Sequence, residues 1–256
     1  MTWKVQAGQD SDVVNYIAAV EAADGQSLES GVKLAYHNFI IGCKTDGIWD
    51  AIKASCIMAG ARTLAGALVP LKGTAPTNFN FVSSDYDRET GLVGDGSTKY
   101  LDSNYLIPVL NVDNCHGAAF LSSPPSAGVN RITMGNSSGD RHGFYSQSTG
   151  NGYRFACSTT SVYTVTSTGI INSIGVIGFN RNSASFYTAR IAQTDYIASV
   201  PTNTSAIGDM FLFSGINGSF KSDARLSFYS IGESLDLALL DSRLTTLMSD
   251  IEVAIP

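Results

Sequence analysis

Charge is scarce in this sequence. Only 15% of its residues are Asp, Glu, Lys or Arg, against about 25% in an average soluble protein. Ser, Thr, Asn and Gly fill the gap beside 44% hydrophobic residues, a texture that suits strands alternating apolar and small polar side chains. Basic residues are scattered singly and the formal net charge is −6, so nucleic acid is excluded as an expected partner. The first ten residues hold no apolar run behind a basic start, and no secretory signal is expected. The most apolar stretch, Ala54 to Leu71, is interrupted by Gly60, Arg62, Gly66 and Pro70. A membrane span needs about 20 residues with few or no charges, so this stretch reads as a buried helix end and a packed connector, without membrane insertion.

Chemical motifs are as sparse as charge. Cys43, Cys56, Cys115 and Cys157 form no C-x-x-C pair and no metal-ligand spacing. They read as four free, mostly buried thiols, with Cys43 and Cys56 on the apolar faces of consecutive helices, which fits assembly in a reducing cytoplasm. The five glutamates, Glu21, Glu29, Glu89, Glu233 and Glu252, include none with an acidic i+2 neighbour in a strand. Asp85-Tyr-Asp87 has that spacing, which retaining glycoside hydrolysis uses to set carboxyls about 5–5.5 Å apart, but it lies in a polar, loop-like run. No Gly-x-Ser-x-Gly elbow is present, and Gly94-Asp-Gly96 and Gly139-Asp140 read as ordinary turns. His37 falls on a helix. His116 follows Cys115, and neighbours on a strand point to opposite faces, so the two are not expected to share a metal. His142 is expected in a loop that could face a ligand. The sequence predicts no catalytic residue, metal or cofactor, and no enzyme.

What is present is architecture. Asp10-Ser-Asp12 caps a helix with a stripe of Val13, Val14, Ile17 and Val20, which ends at Asp24-Gly25. A second helix carries Leu28, Val32, Ala35, Phe39 and Ile40, and a third is expected over Ile48–Ala59. From about residue 75 the apolar period shifts from 3.6 to 2. Short strands then recur about every 10 residues, the signature of a sandwich. The last of them, Arg225–Ile231, runs into a helix with Leu237, Leu240, Leu244, Leu247, Ile251 and Ala254 on one face. That seam is too apolar to face water, so it is expected to dock on its own domain's sheet or on another copy in assembly. Between 139 and 154, Arg141, His142, Tyr145, Asn151 and Tyr153 gather aromatic rings and polar partners of the kind that hold sugars. The alternative for Tyr145 and Tyr153 is packing inside the sandwich.

Two blocks carry a resemblance. Asp46-Gly-Ile-Trp-Asp-Ala-Ile-Lys53, with Ala59-Gly-Ala-Arg62, Gly66–Leu71 and Gly91-Leu-Val-Gly-Asp-Gly-Ser-Thr-Lys-Tyr100, forms the first. Phe228-Tyr-Ser-Ile-Gly-Glu233 and the closing helix form the second. Together they resemble the concanavalin A-like (laminin-G-like) jelly-roll structural proteins of tailed bacteriophage virions, over residues 30 to 255. The resemblance implies a mainly β fold: an antiparallel jelly-roll sandwich (66–256) with a closing C-terminal helix, behind an N-terminal helical segment (1–65). It also implies a virion component built in the host cytoplasm, with other phage structural proteins as partners and a homotrimer as the favoured oligomer. Host-surface glycan adsorption, in the tail fibre or baseplate, is the expected function. The alternative is a capsid decoration (cement) protein, and a polysaccharide-degrading enzyme ranks last.

Overall fold

A computed structural model describes residues 10–106, 112–136, 142–147, 152–167, 169–203, 208–215 and 218–256. Helices α1 (Ser11–Asp24) and α2 (Ser30–Thr45) come first, then strand β1 (Ile52–Ile57), a short helix α3 (Leu64–Ala67) and strands β2 (Pro70–Lys72) and β3 (Thr77–Phe79). Next are β4 (Tyr86–Asp87), β5 (Gly91–Val93), β6 (Tyr100–Leu106), β7 (Cys115–Ser123), β8 (Arg131–Asn136), β9 (His142–Ser146) and β10 (Gly152–Cys157). The chain closes with β11 (Tyr163–Thr166), β12 (Gly175–Arg181), β13 (Tyr187–Ile191), β14 (Thr194–Ala198), β15 (Asp209–Leu212), β16 (Arg225–Gly232) and α4 (Leu237–Ala254).

Among the described residues these strands make two antiparallel sheets. The first runs β14-β13-β12-β7-β16-β1-β2, with β5 and β4 added beside β16, and the second runs β11-β10-β9-β8-β15-β6-β3. Their facing sides share one core that includes Leu121, Met134, Phe144, Phe155, Phe179 and Tyr229. The fold is the expected antiparallel sandwich with helices at both ends. The chain passes from the first sheet to the second at Gly94–Lys99. There the Asp95 carboxylate accepts the backbone N–H groups of Ser97, Thr98 and Lys99 at 2.8, 2.7 and 3.0 Å, which holds the turn between β5 and β6.

The first sheet is covered on its other face by the helices. A second core joins Val20, Val32, Phe39 and Ile40 to Ala118, Phe120, Val176 and Phe228 of the sheet and to Leu237, Leu240, Leu244, Leu247 and Ile251 of α4. The leucine seam expected to serve assembly is therefore covered within this chain, by α2 and the sheet; Leu237, Leu240, Leu244, Leu247 and Ile251 are buried and Ala254 half-buried. Helices α2 and α4 touch where Gly31 faces Ala254, so closely that an added Cβ would lie 2.6 Å from the alanine methyl. Asp46 at the end of α2 binds Arg243 of α4 at 2.6 and 2.8 Å. Both α1 and α4 start as their sequences dictate, with Asp10 and Asp236 accepting the first free N–H groups.

The third helix expected over Ile48–Ala59 is absent. A turn of 3-10 helix at Trp49–Ala51 leads into β1, which pairs with β16 through partners such as Cys56 and Tyr229. Apart from Lys53, residues 52–57 are buried, facing the helices on one side and the sandwich core on the other, so their apolar side chains show no two-residue alternation. Cys56 thus lies on a strand rather than on a helix.

Candidate functional site

Among the described residues the helices pack on the first sheet, and the outer face of the second sheet carries none. On β9, Phe144 enters the core and Tyr145 points out. On β10, Tyr153 and Phe155 enter the core and Arg154 points out. Tyr145 and Arg154 are cross-strand partners. The guanidinium lies 5.9 Å from the tyrosine ring centroid and donates to the phenol oxygen at 3.4 Å.

One row along, Ala156, Gly143 and Gly135 are partners across β10, β9 and β8. Side chains there are a methyl group or nothing. Gly143 is required, since its φ is +148° and a Cβ would lie 2.4 Å from the Met134 carbonyl oxygen. The result is a small trough with a buried backbone floor, lined by Tyr145 and Ile132 and about large enough for one water. Farther across the same face, Phe79 stacks on Tyr100 at 4.3 Å and Tyr100 packs on Phe211 at 5.2 Å. The Lys221 ammonium lies 5.3 Å from the Tyr100 ring. Half-buried rings beside cations suit a ligand that has an apolar face, several hydroxyls and an anionic group.

The residues singled out from the sequence separate into three groups. Tyr145 is on this face. Arg141 and Asn151 lie outside the described residues. Tyr153 and His142 are corrected to the interior: Tyr153 is fully buried with its hydroxyl donating to the Ile171 carbonyl at 3.4 Å, and His142 sits within β9. Two-residue alternation is the reason, since it turns 142, 144, 153 and 155 inward together. The same alternation, applied to β6, β10 and β15, is the signal that would have found Tyr100, Arg154 and Phe211. Asp85 and Asp87 serve local structure. Asp85 is salt-bridged to Lys99 and accepts from Val82 N–H, while Asp87 accepts from Glu89 and Thr90.

Behind the trough lies a buried cluster that joins the sheets. Cys115 comes from β7 of the first sheet, and His142 and Cys157 are partners on β9 and β10 of the second. Cys115 Sγ is 3.4 Å from His142 Nε2 and 3.5 Å from Cys157 Sγ. The Ser158 N–H donates to His142 Nδ1 at 3.1 Å, so the proton of the neutral ring sits on Nε2, aimed at Cys115. The hydrogen bond from Cys157, then the His142 ring, holds Cys115 well below an ordinary thiol; burial, then that same bond, holds Cys157 above one. Arg181 is fully buried beside them. Its donors go to the carbonyls of Cys157, Ser183, Phe186 and Val200.

The three ligand atoms lie within 4.8 Å of one another, a spacing that a divalent metal could span. A metal on Nε2 would need the ring proton on Nδ1, where the Ser158 N–H already points. The tautomer therefore fits a hydrogen-bonded Cys–His–Cys cluster and not a metal centre.

No protein-family model and no curated protein matches this chain. Its structure is similar to the receptor binding domain of botulinum neurotoxin mosaic serotype C/D, with a TM-score of 0.50 at 11% identity over 77% of this chain and 50% of that one. The binding domain of botulinum neurotoxin serotype D gives 0.49 at 11% identity over 77% and 51%. The Ruminococcus gnavus IT-sialidase CBM40, solved bound to α2,3-sialyllactose, gives 0.38 at 9% identity over 58% and 86%. The chain spans about half the length of the toxin structures it matches. At such identities the likeness defines fold alone, and that fold is an antiparallel β-sandwich.

Proposed function

We propose that this chain is a tailed-bacteriophage virion protein that adsorbs to host-surface glycan through the outer face of its second sheet, as part of a tail fibre or baseplate. The observation that carries the glycan reading is the Tyr145–Arg154 pair beside a trough floored by Gly135, Gly143 and Ala156. The tyrosine ring can stack on a pyranose face while the guanidinium binds a carboxylate such as that of an acidic sugar. The virion setting rests on the motifs between Asp46 and Tyr100 and around Phe228–Glu233. The protein binds without turning its ligand over, and it assembles with other phage structural proteins in the host cytoplasm. A homotrimer on the particle compensates weak single sites through effective concentration.

The test is a pair of variants, Tyr145→Ala and Arg154→Ala, assayed for binding to host envelope glycan and for adsorption of particles. Each should weaken binding by about tenfold with particle yield and melting temperature unchanged. Normal adsorption by both variants, with capsids that become fragile to heat, would replace this reading by capsid decoration.

A further inference from the structure

The cluster behind the trough has a chemistry of its own, independent of glycan binding. We propose that Cys115 and Cys157 are a peroxide-oxidisable pair that closes into a disulfide across the sandwich, with His142 as the residue that positions Cys115 for attack.

Four observations converge on it. The two sulfurs are already 3.5 Å apart, so closing the bond needs a shift of about 1.5 Å to reach an S–S length of about 2.05 Å. The sulfurs differ in character, since Cys115 receives the Nε2–H of an imidazole whose other nitrogen is fixed by Ser158. One is thereby the nucleophile and the other the resolving thiol. The Ser158 hydroxyl lies close enough to favour the Cys115 thiolate, yet it is fully buried and completes no hydrogen bond of its own. It stands ready for a group that forms on that sulfur. Lastly, among the described residues the Arg181 guanidinium has carbonyl partners and no carboxylate, and it lies beside Cys157, where its charge favours the thiolate that must attack Cys115 in the resolving step.

Size selects the oxidant. Both sulfurs are fully buried, which keeps out glutathione-sized disulfides. The pocket on the outer face is lined by His142 but by neither sulfur, so a water-sized peroxide reaches them only through a local opening of the fold. In the first step the Cys115 sulfur, having lost its proton, attacks one peroxide oxygen. The O–O bond breaks, a sulfenic acid forms on Cys115, and the departing hydroxide takes up that proton as water. In the second step the Cys157 sulfur attacks Cys115, the S–O bond breaks, and the hydroxyl leaves with the Cys157 proton as a second water. One peroxide is reduced to two waters while two thiols become one disulfide. Cys43 and Cys56 do not compete, because burial pushes each thiol up to about 12.

The experiment uses the full chain, reduced, freed of reductant and treated with one equivalent of hydrogen peroxide. Thiols counted in denaturant should fall from four to two, the intact mass should drop by about 2 Da, and peptide mapping should link Cys115 to Cys157. The melting temperature should rise by about 10 °C and return on adding dithiothreitol. A His142→Leu variant should close at least about tenfold more slowly near neutral pH, with a rate that climbs as an ordinary thiol ionises near pH 8.5. Should that variant not fold, Cys157→Ser replaces it: peroxide should then leave a sulfenic acid on Cys115 that a cyclic diketone traps. Four thiols surviving peroxide, a bond joining another pair, or a stoichiometric metal in the purified protein that is lost in Cys115→Ser would each overturn the proposal.

Discussion

Arg190 of β13 holds Asp241 of α4 through its Nε at 2.8 Å, with the two side chains 7% and 2% exposed. The same carboxylate oxygen accepts the Gln193 N–H at 3.1 Å, and the guanidinium reaches Asp195 of β14 at 2.6 Å. A water-poor ion pair thus latches the closing helix onto the edge of the first sheet.

Removing one partner should be worse than removing both. Asp241→Ala leaves the guanidinium with only the more exposed Asp195, so the loss should approach but not exceed the roughly 3–5 kcal/mol of truncating half of a buried pair. The double variant Arg190→Met with Asp241→Leu should lose less than the single one. Urea denaturation of the three proteins checks the order.

The leucine seam gives a second expectation. Leu244 is fully buried between α2 and the first sheet, so Leu244→Ala should cost about 2–5 kcal/mol. Because the seam is covered within the chain, the loss should appear as a lowered unfolding midpoint at every protein concentration. A deficit confined to low concentration would instead mark a face shared between copies.

His116 makes stability pH-dependent. It is fully buried, donating from Nδ1 to the Glu233 carbonyl and accepting at Nε2 from the Ser230 hydroxyl at 2.7 Å. Burial pulls its pKa down to about 4, against about 6.5 in an unfolded chain. Between those values the unfolded state binds the extra proton, so this contribution is complete above pH 6.5 and is lost as pH falls toward 4. The loss should reach about 3 kcal/mol. His116→Gln should flatten that part of the stability–pH curve, read by chemical denaturation from pH 7 to 4.

Tyr153 and Tyr145 offer a clean contrast, being one alternation step apart on adjacent strands. Tyr153→Ala should destabilise by about 3–5 kcal/mol, as a large core truncation does. Tyr145→Ala should change stability by less than about 1 kcal/mol while weakening glycan binding. Thermal melts beside a binding assay separate the two.

The sandwich, the first two helices and the closing helix were legible because each shows its apolar period on one face. Val13, Ile17 and Val20 do so on α1, and Leu237, Leu240, Leu244 and Leu247 on α4. Strand β1 was not legible, because it lies between two cores and Ile52, Ala54, Cys56 and Ile57 are all buried. A short run buried on both faces cannot be told from a helix by periodicity. The reading of Cys115 and His116 as facing opposite ways was sound. It could not reveal that Cys115 meets His142 and Cys157, at chain separations of 27 and 42 residues, since only sheet topology brings them together. On the outer face, Tyr145 was visible as a ring among polar residues. The trough beside it depends on the pairing of Gly135 with Gly143, which no local spacing announces.

The position of β16 between β7 and β1 sets an order of events during synthesis. Its residues leave the ribosome long after those of β1, yet until they arrive neither neighbour has its partner at the centre of the sheet. The second sheet and the β7-β12-β13-β14 ladder can pair without β16, but β1 and β7 each wait with an apolar edge open, and such non-local pairing is slow. The stitch that unites helices, first sheet and second sheet is among the last to be made, and a ribosome that stalls before residue 225 would release a sticky intermediate rather than a smaller folded domain.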